Sequence, residues 1–261
     1  MSQGVLLYAF NNEKVNYEKI ANLCALCLTR HLAKPVSIIT DNGSDLIYSY
    51  FDKIITIEKS TDRQAWRNKE RNGYFDFSPY EETLVIDTDY FLFNSHYNHF
   101  FGSQKSLILS TEAKRIDFTP VAFTERRIAE RSLDMTWATC FYFRKDEKSK
   151  AFFDLVDIVR ENYRFYCMNY GIKNSVYRND YVFSIARHIY NGNGLECIGV
   201  NPYALYTAYP ESEILSVSDK GLTFLNRIKN SSVYNLQGLS AHVLNKVTIL
   251  EHYEEFTHVF K

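Results

Sequence analysis

A chain of 261 residues that is 46% hydrophobic and 23% charged can bury a full α/β core, and its composition is neither that of a disordered segment nor that of a membrane-spanning protein. The net charge of −1 gives no general attraction to nucleic acid, although aromatic residues reach 16% of the chain. Five cysteines at irregular spacing give no disulfide framework and point to a reducing compartment.

In chain order, the apolar run Val5 to Phe10 is too short for a signal-peptide core, and no later segment approaches the ~20 apolar residues of a membrane span. A cytoplasmic location without membrane contact is the expectation. Val5 to Phe10 reads as a buried strand, Tyr17 to Leu32 as an amphipathic helix and Val36 to Thr40 as a second buried strand, a βαβ opening with parallel pairing. Cys24 and Cys27 fall on the apolar face of that helix, so core packing explains them better than zinc or redox chemistry. Asp41-Asn42-Gly43 marks a turn at the carboxyl end of the second strand. Ile54 to Ile57 is a third apolar run, and Thr83 to Ile86 a fourth. Leu107 to Ser110 and Thr139 to Phe143 read as further strands, and Ala151 to Tyr166 and Asp180 to Tyr190 as helices. Between them, Ser110 to Asp134 is irregular around Pro120, a loop or lid with a helical hint at Glu125 to Arg131. No repeat or linker divides the chain, so one domain over residues 1–261 is expected.

The segment EETLVIDTDYFLF, residues 81 to 93, carries the most chemistry. Asp87 and Asp89, one residue apart where a buried strand ends, can share a divalent cation, and open parallel sheets bind ligands at such strand ends. A cation there offsets the charge of a departing diphosphate. An isolated D-x-D is a weak signal, since aspartate is common in turns.

The strings YAFNN, SIITDNG, FSPYEETLVIDTDYFLFN, MTWATCFYFRK and RNDYVFSIA together resemble a group of glycosyltransferases found in tailed bacteriophages, distantly related to the glycogenin-like enzymes. The resemblance covers most of the chain and is least distinctive from Glu196 to Asn235. It implies a glycosyltransferase A type nucleotide-sugar-binding fold, α/β with a mostly parallel central sheet flanked by helices. Residues 1–94 would form the nucleotide and metal half, and residues 95–261 the acceptor half. It also implies a UDP-sugar donor and Mn²⁺ or Mg²⁺ held by Asp87, Asp89 and His242. Tyr8, Ala9, Asn11, Thr40 and Asp41 would surround the nucleoside, with Thr88 between the metal carboxylates. Asp41 read by itself is equally a turn former.

In AHVLNK, His242 and Lys246 resemble the late histidine and lysine of the glycogenin-like enzymes, where the lysine contacts the diphosphate. The spacing is shorter here, and that family's glycine and closing proline-tryptophan are missing. Asp180 matches an acidic residue aimed at the sugar or acceptor hydroxyl, while as a sequence feature Asn179-Asp180 is equally a helix cap. Arg67, Lys69 and Arg71 precede the metal strand, where a basic side chain would pair with donor phosphate, though a solvated face explains them as well. Trp137 and Thr139 would stand by the sugar or serve the core.

Rival enzyme classes fit less well. A sugar-nucleotide pyrophosphorylase needs a glycine-rich loop after the first strand, where this chain has Asn11-Asn12-Glu13-Lys14. A haloacid-dehalogenase-type phosphatase expects Thr or Val where Phe91 stands, and carries its D-x-D after the first strand. The phage resemblance makes 5-hydroxymethylcytosine in double-stranded phage DNA the first candidate acceptor, with glucose or arabinose transferred and Lys114 to Arg131 on the phosphates. A saccharide or protein acceptor stands close behind. A non-catalytic DNA-binding or accessory protein is the alternative, weakened by Glu112, Asp117, Glu125 and Glu130 among the basic residues.

Overall fold

The computed structural model describes residues 1–58, 73–129, 133–173, 176–192, 198–227 and 231–261. Its elements begin with β1 (Gln3–Ala9), α1 (Tyr17–Leu32), β2 (Val36–Thr40), β3 (Lys53–Thr56), α2 (Tyr74–Phe77), β4 (Glu82–Ile86) and β5 (Tyr90–Phe91). Next come β6 (Leu107–Ser110), β7 (Ala113–Arg115), α3 (Phe123–Arg126), β8 (Trp137–Arg144), α4 (Glu147–Glu161), α5 (Tyr163–Tyr170) and α6 (Asn179–Gly192). The chain then runs through β9 (Ile198–Val200), β10 (Leu205–Ala208), β11 (Ser212–Ser218), β12 (Gly221–Asn226), β13 (Ser232–Gln237), β14 (Ala241–Val243), α7 (Lys246–Glu251) and α8 (Tyr253–Phe260).

A seven-stranded sheet has the order β3-β2-β1-β4-β8-β6-β9, beside a four-stranded sheet β5-β14-β10-β7 and a three-stranded sheet β11-β12-β13. In the large sheet every pair is parallel except the two that β8 makes with β4 and β6. The fold class is therefore α/β, with a mostly parallel central sheet flanked by helices. The chain moves outward from β1 to β2 and β3, then returns to lay β4 on the other side of β1. Such a reversal opens a crevice at the carboxyl ends of the two central strands. Because β8 is antiparallel, its amino end reaches the same edge, where the Asp87 N–H donates to the Thr139 carbonyl at 2.8 Å.

Both faces of the sheet are covered. Val5, Leu7 and Ala9 of β1 pack in one apolar cluster with α1, the four-stranded sheet and α8; Leu6, Tyr8 and Phe10 pack in the other with α4 and α6. Burial on two sides is why the strands read as unbroken apolar runs. Among the described residues, no helix is long and apolar enough to cross a membrane.

Three regions differ from the sequence expectation. The helix expected from Ala151 to Tyr166 starts at Glu147, where Asp146 and Ser149 form a capping box, and breaks at Asn162 (φ −107°, ψ 29°). There the Asn162 side-chain amide donates to the Ile158 carbonyl at 2.9 Å, turning the chain into α5. The irregular segment from Ser110 contains β7, paired with β10, and its short helix is Phe123–Arg126. The undistinctive stretch before Asn235 forms the antiparallel sheet, in which β12 and β13 approach so closely that a Cβ on Gly221 would lie 1.8 Å from the Leu236 carbonyl oxygen.

Candidate metal and donor site

Asp87 and Asp89 leave β4 on a turn closed by the Tyr90 N–H, which donates to the Asp87 carbonyl at 2.9 Å. β14 then pairs antiparallel with β5, setting His242 opposite Tyr90, and the Val243 N–H donates to the Asp89 carbonyl at 2.8 Å. This pairing brings the far end of the chain to the strand end. His242 Nε2 lies 3.3 Å from Asp89 Oδ1, and the Lys246 ammonium forms an ion pair with Asp89 Oδ2. Lys246 is the first residue of α7, whose cap Asn245 accepts the Thr248 N–H. Beneath the turn lie the fully buried thiols of α1, Cys24 bonded to the Tyr90 carbonyl and Cys27 to that of Leu92.

One ligand atom from each of Asp87, Asp89 and His242 falls within 4.8 Å of the other two. Metal–oxygen bonds of about 2.1 Å place two ligands of one ion at most about 4.2 Å apart, so small side-chain adjustments let one ion reach all three. Two carboxylates and an imidazole suit Mn²⁺, and the oxygen donors suit Mg²⁺. Burial pushes the Asp89 carboxyl up, but the Lys246 ammonium and His242 outweigh it and hold the group well below the usual carboxylate range. Asp89 is therefore a fixed negative charge in a nearly solvent-free place.

The other expected residues divide by position. Tyr8 and Ala9 end β1 as buried side chains, Tyr8 packing edge-on against Phe10 and Tyr74. Asn11 accepts the Glu18 N–H at the start of α1 at 3.0 Å. Thr40 is buried, its hydroxyl donating to Glu18 at 2.8 Å, and Asp41 follows it at the end of β2. Thr88 is buried between the two carboxylates. Arg67, Lys69 and Arg71 lie outside the described residues.

Asp180 comes to the same edge through β8. Its Oδ1 accepts the Ala138 N–H at 2.9 Å and its Oδ2 the Arg178 guanidinium at 2.8 Å. Thr139 is buried and Trp137 half-buried, the latter packed against both apolar clusters. The cluster of basic residues from Lys114 onward is met by acids: Lys114 pairs with Glu112 at 3.2 Å and Arg127 with Asp134 at 3.7 Å.

Two contributors had no local sequence signal. Tyr90 presents its ring edge-on to His242, centroids 6.4 Å apart, and its hydroxyl shares a 2.8 Å hydrogen bond with Tyr97. It also forms one wall of a cavity of about 240 Å³ that Tyr97, Tyr203 and Tyr206 help to line. Arg178, the ion partner of Asp180, reads in sequence as an ordinary surface cation.

No family model matches this sequence, nor does a curated protein. Among solved structures, the chain is similar to the glycosyltransferase GlyE of Streptococcus pneumoniae TIGR4, with 12% identity and a TM-score of 0.46 over 77% of this chain and 46% of that one. The apo form of GlyE gives 11% identity and a TM-score of 0.44 over 77% and 45%. This chain thus spans less than half the length of these two structures.

Proposed function

We propose that this protein is a metal-dependent glycosyltransferase that moves a sugar from a UDP-sugar to an acceptor hydroxyl. The observation that carries the proposal is the convergence of Asp87, Asp89, His242 and Lys246 at the carboxyl edge of a parallel sheet, beside its switch point. Mn²⁺ or Mg²⁺ held by the two carboxylates and the imidazole would stabilise the negative charge of the leaving diphosphate. In this account Lys246 adds a second, permanently placed cation beside the phosphates, and the ends of β1 and β2, with Asn11 and Asp41, border the nucleoside. Asp180 holds the transferred sugar or the acceptor. With both its oxygens already bonded to Ala138 and Arg178, it is built to orient a hydroxyl. Arg67 and Arg71 are assigned to the donor phosphates on sequence position alone.

For the acceptor, we take 5-hydroxymethylcytosine in double-stranded phage DNA first, in the host cytoplasm, with glucose or arabinose as the sugar. A saccharide or protein hydroxyl is the second reading, favoured by the acids that pair with Lys114 and Arg127 and reduce the field a DNA backbone would meet. The test is UDP release from a panel of UDP-sugars with Mn²⁺, with and without DNA containing 5-hydroxymethylcytosine, against an Asp87→Asn/Asp89→Asn control. Metal-dependent release stimulated by the DNA supports both parts. Release without stimulation keeps the transferase and moves the acceptor to a saccharide or protein, while no donor use at all leaves a non-catalytic accessory protein.

A further inference from the structure

Glu18 is fully buried in the first turn of α1, where an acidic residue ordinarily faces solvent and complements the helix dipole. Its carboxylate is instead turned onto the segment that follows β2. Oε1 accepts the Thr40 hydroxyl at 2.8 Å and the Gly43 N–H at 2.7 Å, and Oε2 accepts the Asp45 N–H at 2.9 Å. Glu18's own N–H donates to Asn11 at the end of β1. Through its side chain and its own N–H, this one residue therefore ties the segment after β2 to the end of β1, one of the two strands that border the crevice.

The neighbours of Glu18 on α1 extend the cradle. Asn22, one turn further along, is buried; it donates to the Asp45 carbonyl at 2.9 Å and accepts the Ile47 N–H at 2.9 Å. Asn16, the N-cap of α1 two residues before Glu18, donates to the Asp45 carboxylate at 2.7 Å. Gly43 completes the loop in a left-handed conformation (φ +84°), which side-chain-bearing residues rarely adopt. A buried carboxylate that accepts backbone N–H groups fixes a loop far more firmly than packing does, because releasing any one donor leaves charge and amide unsolvated.

We propose that Glu18 is a positioning residue for nucleoside recognition: it holds residues 40–45 in their binding conformation before the donor arrives. The proposal rests on the nucleotide-sugar reading of the site. A loop ordered in advance spares the ligand the entropy of ordering it, so the benefit falls on donor affinity and leaves the chemical step alone. Glu18 touches no reacting atom in this account.

The experiment is calorimetric titration of UDP in the presence of Mn²⁺, with steady-state kinetics on the UDP-sugar that the wild type turns over, for wild type, Glu18→Gln and Gly43→Ala. Gln keeps the shape of Glu18 but brings an N–H₂ against donors. Gly43→Ala disturbs the same loop by φ alone, since its new Cβ meets only ordinary contacts at 3.7 Å and beyond. It serves as the second route if Glu18→Gln does not fold. The expected result is a UDP Kd and a donor KM raised roughly tenfold in each folded variant, as for loss of a charge-assisted hydrogen bond, with kcat within about twofold of wild type. Folded variants with a wild-type Kd for UDP, or with a fall confined to kcat, overturn the inference while the transferase reading stands. A wild-type protein that binds no UDP with Mn²⁺ overturns the reading and the inference together.

Discussion

At the ends of β2 and β4, Glu18, Thr40, Thr88 and Asp89 are nearly or wholly out of solvent, and Glu18, Thr40 and Asp89 are held by hydrogen bonds or ion pairs, whereas around β7 and α3 Lys114 and Arg127 pair with acids at the surface. Lys114 and Glu112 are 35% and 57% exposed, and Arg127 and Asp134 are 43% and 68% exposed. The first region is pre-set, in that the carboxylates of Glu18 and Asp89 each have one place to be and are little screened by solvent. The second region is adjustable, because exposed pairs hold long side chains weakly and exchange partners easily. In the proposed transferase, the first grips a constant diphosphate and nucleoside, and the second meets a larger and more variable acceptor.

The contrast can be broken at its strongest point with Asp89→Asn. Removing the charge forfeits several kcal/mol of charge stabilisation, roughly a hundredfold or more in turnover. It also leaves Lys246 buried without its carboxylate, a loss of about 3 kcal/mol that urea denaturation would record. His242→Ala is expected to raise the Mn²⁺ concentration for half-maximal activity roughly tenfold, worth about 1.4 kcal/mol, with a smaller change in the urea midpoint.

Away from the site, Asp146→Ala removes the cap of α4 and is expected to cost about 1 kcal/mol without altering donor KM. Burial alone would raise the Asp146 carboxyl, but hydrogen bonds from the Ser149 N–H and Ser106, with Arg144 alongside, leave it below its ordinary range. A depressed carboxyl contributes stability that is full above the unfolded value and lost as pH falls. The gap between wild type and Asp146→Ala should therefore close as pH drops below about 4, read as converging thermal midpoints. The smallest effect belongs to the adjustable region: Lys114→Ala should change stability by less than ~1 kcal/mol. If DNA is the acceptor, it should also flatten the salt dependence of DNA stimulation by about one unit.

How much of this was legible in sequence follows the same division. The βαβ opening, the aspartates after β4 and the helix beginning at Asn179 were readable because each is a local pattern of apolar period and turn residues. The pairing of His242 with Tyr90 across β14 and β5 is not local, and only the family resemblance of AHVLNK anticipated His242 at the site. β7 and β10 are short strands whose partners lie far along the chain, so no periodicity marked them. The antiparallel sheet mixes exposed and buried residues without clean alternation, as in the burial of Ser212–Ser218, and passed unnoticed. Glu18 was illegible for a different reason. An acid in the first turn of a helix is the expected surface residue, and only the folded path of residues 40–45 shows that it faces inward.

In the proposed transferase, Asp87, Asp89 and His242 hold the cation that binds the donor diphosphate. Mn²⁺ titration followed by electron paramagnetic resonance, with and without UDP, on wild type and on Asp87→Asn/Asp89→Asn of unchanged circular dichroism, tests it most directly. Wild type is expected to bind Mn²⁺ more tightly with UDP present, and the double variant to lose that binding. Equal binding by both proteins, or wild-type binding indifferent to UDP, would contradict it.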